Sequence, residues 1–395
     1  MPLPSTVDCS AIGDGSAAIR ELVATFVARE VTPVAAALDA EPEFPADLYR
    51  SMAALNLFGI TVPERYGGAG ARALDYLHVM EGLSFGYASV ADQCGLVELV
   101  SCLLAGYGTD AQRDRYLTPL LAARRLCAYA LTEPQAGSDL RGIASRADRV
   151  DGGWRLSGEK VFIHNAPVAD FAVVLARTGE RDLSVFLVDL DRPGVSRTYK
   201  ERKMGQRASQ VGGLRFDAVA LPDDALLGEA GAGLRYMTGV LAKGRLGIAG
   251  LSLGISRAAL TAATAQAEVR VAFGRPIGAN QAVAFPLADA YTGYRAGLLL
   301  AEDAARLLDA GAPQAGTACA MAKLFASEGA VRHASTAVQV FGGAGYIEGC
   351  VAERLYRDAR ITTLYEGTSE IQRLIIARSI VDSRRAGPAR SGGAA

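Results

Sequence analysis

Phe171-Ala-Val-Val-Leu-Ala176 and Leu183-Ser-Val-Phe-Leu-Val188 decide the fold class. Short runs of β-branched and aromatic residues bounded by turn formers read as strands. Trp154-Arg-Leu-Ser-Gly158 and Gly213-Leu-Arg-Phe-Asp-Ala-Val219 share that character, and Asp151-Gly152-Gly153 and Asp191-Arg192-Pro193 supply turns between them. The run begins near Cys127 and predicts a small β domain over residues 127–230.

The pattern outside this block is helical. Upstream, Ile19, Leu22, Val23, Phe26 and Val27 open a 3.6-residue periodicity that continues to about Ala123. It breaks at Glu41-Pro42-Glu43-Phe44-Pro45 and between Pro63 and Gly70, and a long apolar helix is expected over Val90 to Ala105. Downstream, helices are expected over about 234–268, 281–309, 314–341 and 368–382, a four-helix bundle. Gly244, Gly247, Gly250 and Gly254 in the first of these read as sites of close helix approach. The expectation is an α+β chain: an all-α domain over 1–126, the β domain, a bundle over 231–382, and a disordered tail over 383–395.

Composition excludes several classes. The 395 residues carry 41 basic and 42 acidic side chains, a formal charge of −1, without the basic excess of a nucleic-acid binder. Six scattered cysteines, no C-x-x-C pair and three histidines predict no metal site. Free thiols suit a reducing compartment. Met1 to Ser10 lacks the order of a signal peptide, and no apolar run nears a membrane span, since Leu96 to Ala105 contains Glu98. A soluble cytoplasmic protein is expected.

Some motifs lack their context. Gly13-Asp-Gly15-Ser-Ala-Ala18 and Gly106-Tyr-Gly108-Thr-Asp-Ala111 fit a loose dinucleotide pattern outside any βαβ unit. Gly250-Leu-Ser252-Leu-Gly254 fits a hydrolase nucleophile elbow, with His333 downstream, but lies inside a helical pattern.

Three segments carry chemistry. Leu131-Thr-Glu-Pro-Gln-Ala-Gly-Ser-Asp139 leaves an apolar strand with hydroxyls and N–H groups able to face an anion or a planar polar ring, although a surface loop is the simpler reading. Val269-Arg270-Val-Ala-Phe273-Gly274-Arg275-Pro276-Ile277, with Gln281, ends a helix beside arginines suited to phosphate or simply to the helix dipole. Leu364-Tyr365-Glu366-Gly367-Thr368-Ser369-Glu370-Ile371 sets Glu366 outside a helix that Thr368 caps, where a desolvated carboxylate serves as a base and a solvated one does nothing.

Together these segments resemble the acyl-CoA dehydrogenase family over nearly the whole chain. Val62-Pro-Glu-Arg-Tyr-Gly67-Gly68-Ala-Gly70, Ala130-Leu-Thr-Glu-Pro-Gln-Ala-Gly-Ser-Asp139 and Gly158-Glu-Lys160-Val-Phe162-Ile-His-Asn165 match its motifs in order. Lys203-Met-Gly205-Gln-Arg207-Ala-Ser209, Gln339-Val-Phe-Gly342-Gly343-Ala-Gly345 and Tyr365-Glu-Gly-Thr-Ser-Glu-Ile-Gln372 complete the set.

The resemblance implies an N-terminal α-helical domain, a middle β-barrel or sandwich, a C-terminal four-helix bundle and bound FAD. It implies removal of α- and β-hydrogens from an acyl thioester, with Glu366 as the base and the β-hydrogen leaving as hydride to flavin N5. Some relatives carry the base directly before the arginine matching Arg245, where this chain has Gly244. Tyr129, Leu131, Thr132, Gly137 and Ser138 match FAD contacts, Phe162 and His164 flank the flavin ring, and Thr368 and Glu370 lie near the dinucleotide. Arg270, Phe273, Gln281, Gln339 and Gly343 match residues that reach a neighbouring subunit's FAD, implying a dimer or tetramer. Ser138, Arg245, Tyr365 and Gly367 match the substrate side, and an electron-transfer flavoprotein is the implied acceptor.

Three departures stand out. Phe162 replaces the usual tryptophan, and His164 replaces a threonine or serine near N5, either tuning the flavin or satisfied structurally. Ala242 replaces an aspartate that contacts the pantetheine arm, which admits a carrier-protein-bound acyl group. Oxidases and monooxygenases of the same fold, a Ser252 hydrolase and a silent flavoprotein are the rival readings.

Overall fold

The computed structural model describes residues 14–385. Its first helices are α1 (Asp14–Phe26), α2 (Ala35–Ala40), α3 (Ala46–Ala54), α4 (Ala73–Gly86), α5 (Ala88–Tyr107), α6 (Asp110–Gln112) and α7 (Thr118–Leu121). Val23, Phe26, Val27 and Val31 form the buried stripe of the first stretch, as the periodicity requires. The sequence expectation that no run approaches a membrane span is corrected. Both α5 and α8 (Gly233–Val269) are long and apolar enough by length and composition, and 78% and 83% of their most apolar windows are buried inside the protein. Helices apolar all round are core helices here.

The strands are β1 (Cys127–Ala130), β2 (Arg146–Val150), β3 (Gly153–His164), β4 (Phe171–Arg177), β5 (Leu183–Asp189), β6 (Val195–Lys200), β7 (Val211–Pro222) and β8 (Leu226–Leu227). They form one sheet in the order β6-β7-β3-β2-β4-β5-β8, with β1 alongside β4. β1 and β2 run parallel to β4, and the other neighbours are antiparallel. The apolar runs of β4 and β5 are continuous because both faces are buried. Ala172, Val174, Phe186 and Val188 face Leu156, Leu214 and Phe216 inside the sheet, while Val173, Leu175, Val185 and Leu187 join the helical core.

After α8 come β9 (Val271–Ala272), β10 (Arg275–Pro276), α9 (Gln281–Asp309), α10 (Ala315–Phe341), α11 (Val351–Arg360) and α12 (Ser369–Arg385). α8, α9 and α10 run up, down and up. Among these, the β9–β10 hairpin and α11 were not anticipated; the polar sequence of α11 hides a buried face of Ala352, Leu355 and Ala359. The tail expectation is also corrected, since α12 continues through Ser383 to Arg385; residues 386–395, Cys9 and Gly13 lie outside the described residues. In α8, Gly247, Gly250 and Gly254 admit Tyr76, Leu77 and Glu81 of α4 at distances a side chain would block. Ser252 sits mid-helix, donating to the Ile248 carbonyl at 2.7 Å, and His333 meets Ser256 instead, so no nucleophile elbow exists.

Candidate active site

Glu366 lies in the turn between α11 and α12 with a left-handed backbone, φ 52°, followed by Gly367 at φ 85°. Two side chains hold this turn. Lys323 Nζ donates to the Gly367 carbonyl at 2.7 Å, and Gln372 Nε2 donates to the same oxygen at 2.7 Å and to the Glu366 carbonyl at 3.3 Å. Thr368 caps α12, its hydroxyl accepting from the Ile371 N–H at 3.3 Å, as the sequence predicts. The Glu366 residue is half-buried as a whole, but its Oε2 is sealed from solvent and has no hydrogen-bond partner. Burial pushes its pKa up to about 7, against the pull of Arg245 and Lys323. The Arg245 guanidinium is itself largely buried, its Nε unpartnered, and desolvation lowers its pKa. The Tyr365 hydroxyl accepts from Gln206 Nε2 at 3.4 Å, tying the turn to the Lys203–Ser209 segment.

The loop after β1 meets the end of β3. The Val161 N–H donates to the Thr132 carbonyl at 3.0 Å, and buried Lys160 donates to the Leu131 carbonyl at 3.0 Å. Glu133 turns inward, accepting from Lys160 at 2.7 Å and from the Ala144 and Ser145 N–H groups at 2.6 and 3.1 Å. Burial pushes Glu133 up, but Lys160 and these donors hold it below the usual carboxylate range. Burial lowers Lys160 to about 8. With Glu133 as an internal anchor, Gly137 and Ser138 remain exposed and Thr132 half-exposed beside β3.

There the β3–β7 register shifts between Lys160 and Ile163, so Val161 and Phe162 oppose a single residue, Gly213. This bulge aims Phe162 outward at φ 56° and 66% exposure. A left-handed backbone is strained for a phenylalanine, and the bulged sheet holds it there. The buried Tyr129 hydroxyl lacks a partner and lies within electrostatic reach of Glu366, so the β1 loop and the Glu366 turn address one space.

His164 is partly buried among polar partners. Its Nε2 lies 3.0 Å from Gln93 Nε2 and 2.9 Å from Ser209 Oγ, and its Nδ1 faces Asp92 Oδ2 at 3.5 Å. The Gln93 amide nitrogen is a donor toward Nε2, while the Ser209 hydroxyl donates to Asp92 Oδ2 at 2.6 Å. Burial lowers the imidazole pKa despite Asp92, leaving the ring neutral. Of the two roles expected for His164, the structure supplies partners for the structural one.

Three family models match this chain: the acyl-CoA dehydrogenase N-terminal domain over residues 14–124, the middle domain over 128–219 and the C-terminal domain over 231–381. The chain belongs to the acyl-CoA dehydrogenase family. Members are flavin-dependent oxidoreductases. The short-chain specific acyl-CoA dehydrogenase of Bos taurus mitochondria is 41% identical over 376 residues, 93% of this chain and 90% of that protein. The butyryl-CoA dehydrogenase structure from Megasphaera elsdenii is 34% identical at TM-score 0.90, covering 94% of this chain and 99% of that one. The prolyl acyl carrier protein oxidase AnaB is 26% identical at TM-score 0.89, covering 93% and 98%.

One group of expected residues stands apart in this acyl-CoA dehydrogenase. Gly244, beside Glu366, lies near the start of α8, and Arg270 follows its end, roughly 38 Å further along. Gln339 lies roughly 24 Å beyond Lys323 on α10, which runs in the same direction. Arg270, Phe273, Gln281, Gln339 and Gly343 are all exposed at that far end of the bundle. Phe273 and Gly274 form the tip of the β9–β10 hairpin with φ of 55° and 77°, and Phe273 is 98% exposed. Arg275 is engaged by Asn280 at 2.6 Å. Glu370 is exposed on the first turn of α12.

Sequence reasoning missed Glu133, Lys160 and Lys323 as supports. Lys323 shares the buried face of α10 with Cys319, Ala326 and Ala330, a spacing of four, three and seven that was available to find it.

Proposed function

We propose that this chain catalyses FAD-dependent α,β-dehydrogenation of a short acyl-CoA thioester to the trans-2-enoyl product, with Glu366 taking the α-proton. The sealed, unpartnered Oε2 of Glu366, with a pKa near 7, carries the reading. A base works best when its pKa lies near the working pH.

The residues present fit FAD. The outward Phe162 ring offers a flavin-stacking face, while Thr132, Gly137 and Ser138 offer hydroxyl and N–H groups beside it. FAD bound there supplies the acceptor for the β-hydrogen as hydride. Burial around Glu366 excludes water from the carboxylate, and the Glu366 N–H is the chain's donor to the developing enolate oxygen. Arg245 and Lys323 supply the positive field that keeps the carboxylate available as a base. The exposed group at the far bundle end serves a second copy's cofactor, which makes the working form a homo-oligomer, and an electron-transfer flavoprotein reoxidises it in the cytoplasm.

A second reading, dehydrogenation of an acyl group tethered to a carrier protein, is favoured by Ala242 and by the similarity to AnaB. The visible spectrum of the purified protein before and after anaerobic addition of acyl-CoAs tests both. Bleaching by one chain length supports the first reading. Bleaching only by a carrier-bound acyl group supports the second, and a protein unable to take up FAD overturns both.

A further inference from the structure

Only five of the 41 basic residues are lysine, and Lys323 is one of two with no exposed surface. It makes no ion pair among the described residues; its resolved hydrogen bond goes to the Gly367 carbonyl. An ammonium buried without a directly paired carboxylate is costly, and burial lowers its pKa to about 8. The first charged group to offset that cost is Glu366, with Glu370 and Glu328 contributing less and Arg245 opposing.

Viewed from Glu366, the surrounding charges are Arg245 on α8, Lys323 on α10 and Asp92 on α5. The phenols of Tyr76 on α4, Tyr129 on β1 and the adjacent Tyr365 are neutral, each raised by burial. Among the described residues, Lys323 is the one group that combines this charge with a hydrogen bond to the Glu366-Gly367 backbone.

We propose that Lys323 is a positioning residue for the reaction: its ammonium, hydrogen-bonded to the Gly367 carbonyl, helps hold the left-handed Glu366-Gly367 turn and supplies a positive charge to the Glu366 carboxylate. The inference rests on the proposed role of Glu366. Gln372 grips the same carbonyl, so the turn keeps a second support when Lys323 is replaced.

The test uses FAD-loaded protein with Lys323→Met, which removes charge and hydrogen bond, and Lys323→Gln, which removes charge but retains a donor. Difference infrared titration of carbon-13-labelled glutamate, with the Glu366 band assigned by its loss in Glu366→Gln, reads the carboxyl without substrate. Both variants should move the Glu366 midpoint upward by about one pH unit or more, the usual effect of losing a nearby opposite charge. The acid limb of anaerobic flavin bleaching should move with it. An unmoved midpoint in either folded variant overturns the electrostatic role. A moved midpoint in a protein that no acyl thioester bleaches leaves Lys323's action on Glu366 standing and overturns the dehydrogenase reading instead.

Discussion

Gly244 and Glu366 share one space: a Cβ on Gly244 would lie 2.6 Å from Glu366 Oε2 and 3.3 Å from its Cδ. The missing side chain on α8 is therefore the room in which the carboxylate sits. The two positions where the family resemblance allows a base converge on this point, and here one is vacated for the other. Gly244→Ala should push the carboxylate aside without unfolding the chain, because the displaced atoms end a flexible side chain. Misplacing a reacting group by about 1 Å costs up to about 100-fold. The expected result is a fall of about 10- to 100-fold in anaerobic bleaching rate at a nearly unchanged melting temperature.

Glu366 should also cost the protein stability. Its folded pKa of about 7 lies above the ordinary value of 4.5. The folded state therefore binds the proton more tightly, and this contribution is full below about pH 4.5 and lost as pH rises through about 7. Glu366→Gln, neutral throughout, should gain stability relative to wild type between pH 5 and pH 8. Because the residue is only half-buried, the gain should be on the order of 1–2 kcal/mol. Melting temperatures of both proteins across that range check it.

Lys160 and Glu133 are 0% and 2% exposed as side chains, and the pair anchors the loop that presents Thr132 and Ser138. Removing one partner of a buried pair costs about 3–5 kcal/mol. Lys160→Met should lower the denaturation midpoint accordingly and weaken flavin retention, and adding Glu133→Gln should restore part of the stability. A single variant as stable as wild type would contradict the anchoring role.

Phe162 trades backbone comfort for an exposed ring. Glycine tolerates its φ of 56° without strain, so Phe162→Gly should leave apoprotein stability unchanged or raise it by about 1 kcal/mol. Flavin affinity should fall, read as recovery of free-flavin fluorescence on dilution.

Much of this was legible because burial wrote it into the chain. β4 and β5 read as strands because both their faces are covered, and the long helices because their apolar stripes keep step with 3.6 residues. β6, exposed along most of its length, lacks such a pattern, and the buried apolar face of α11 is only Ala352, Leu355 and Ala359 among charged residues, so neither was anticipated. Glu366 and the Thr368 cap stood in a local pattern. The partners of His164 did not, since Asp92, Gln93 and Ser209 arrive from distant segments. Glu133 and Lys160 each sat in a recognised motif, but their meeting depends on how β1 and β3 are laid side by side.

The most direct measurement is the anaerobic bleaching rate of FAD-loaded Glu366→Gln with the acyl thioester that bleaches wild type fastest. Loss of the base should slow bleaching by about 100- to 10,000-fold while the protein stays yellow and binds the thioester. A rate within a few-fold of wild type would contradict the assignment of the α-proton to Glu366.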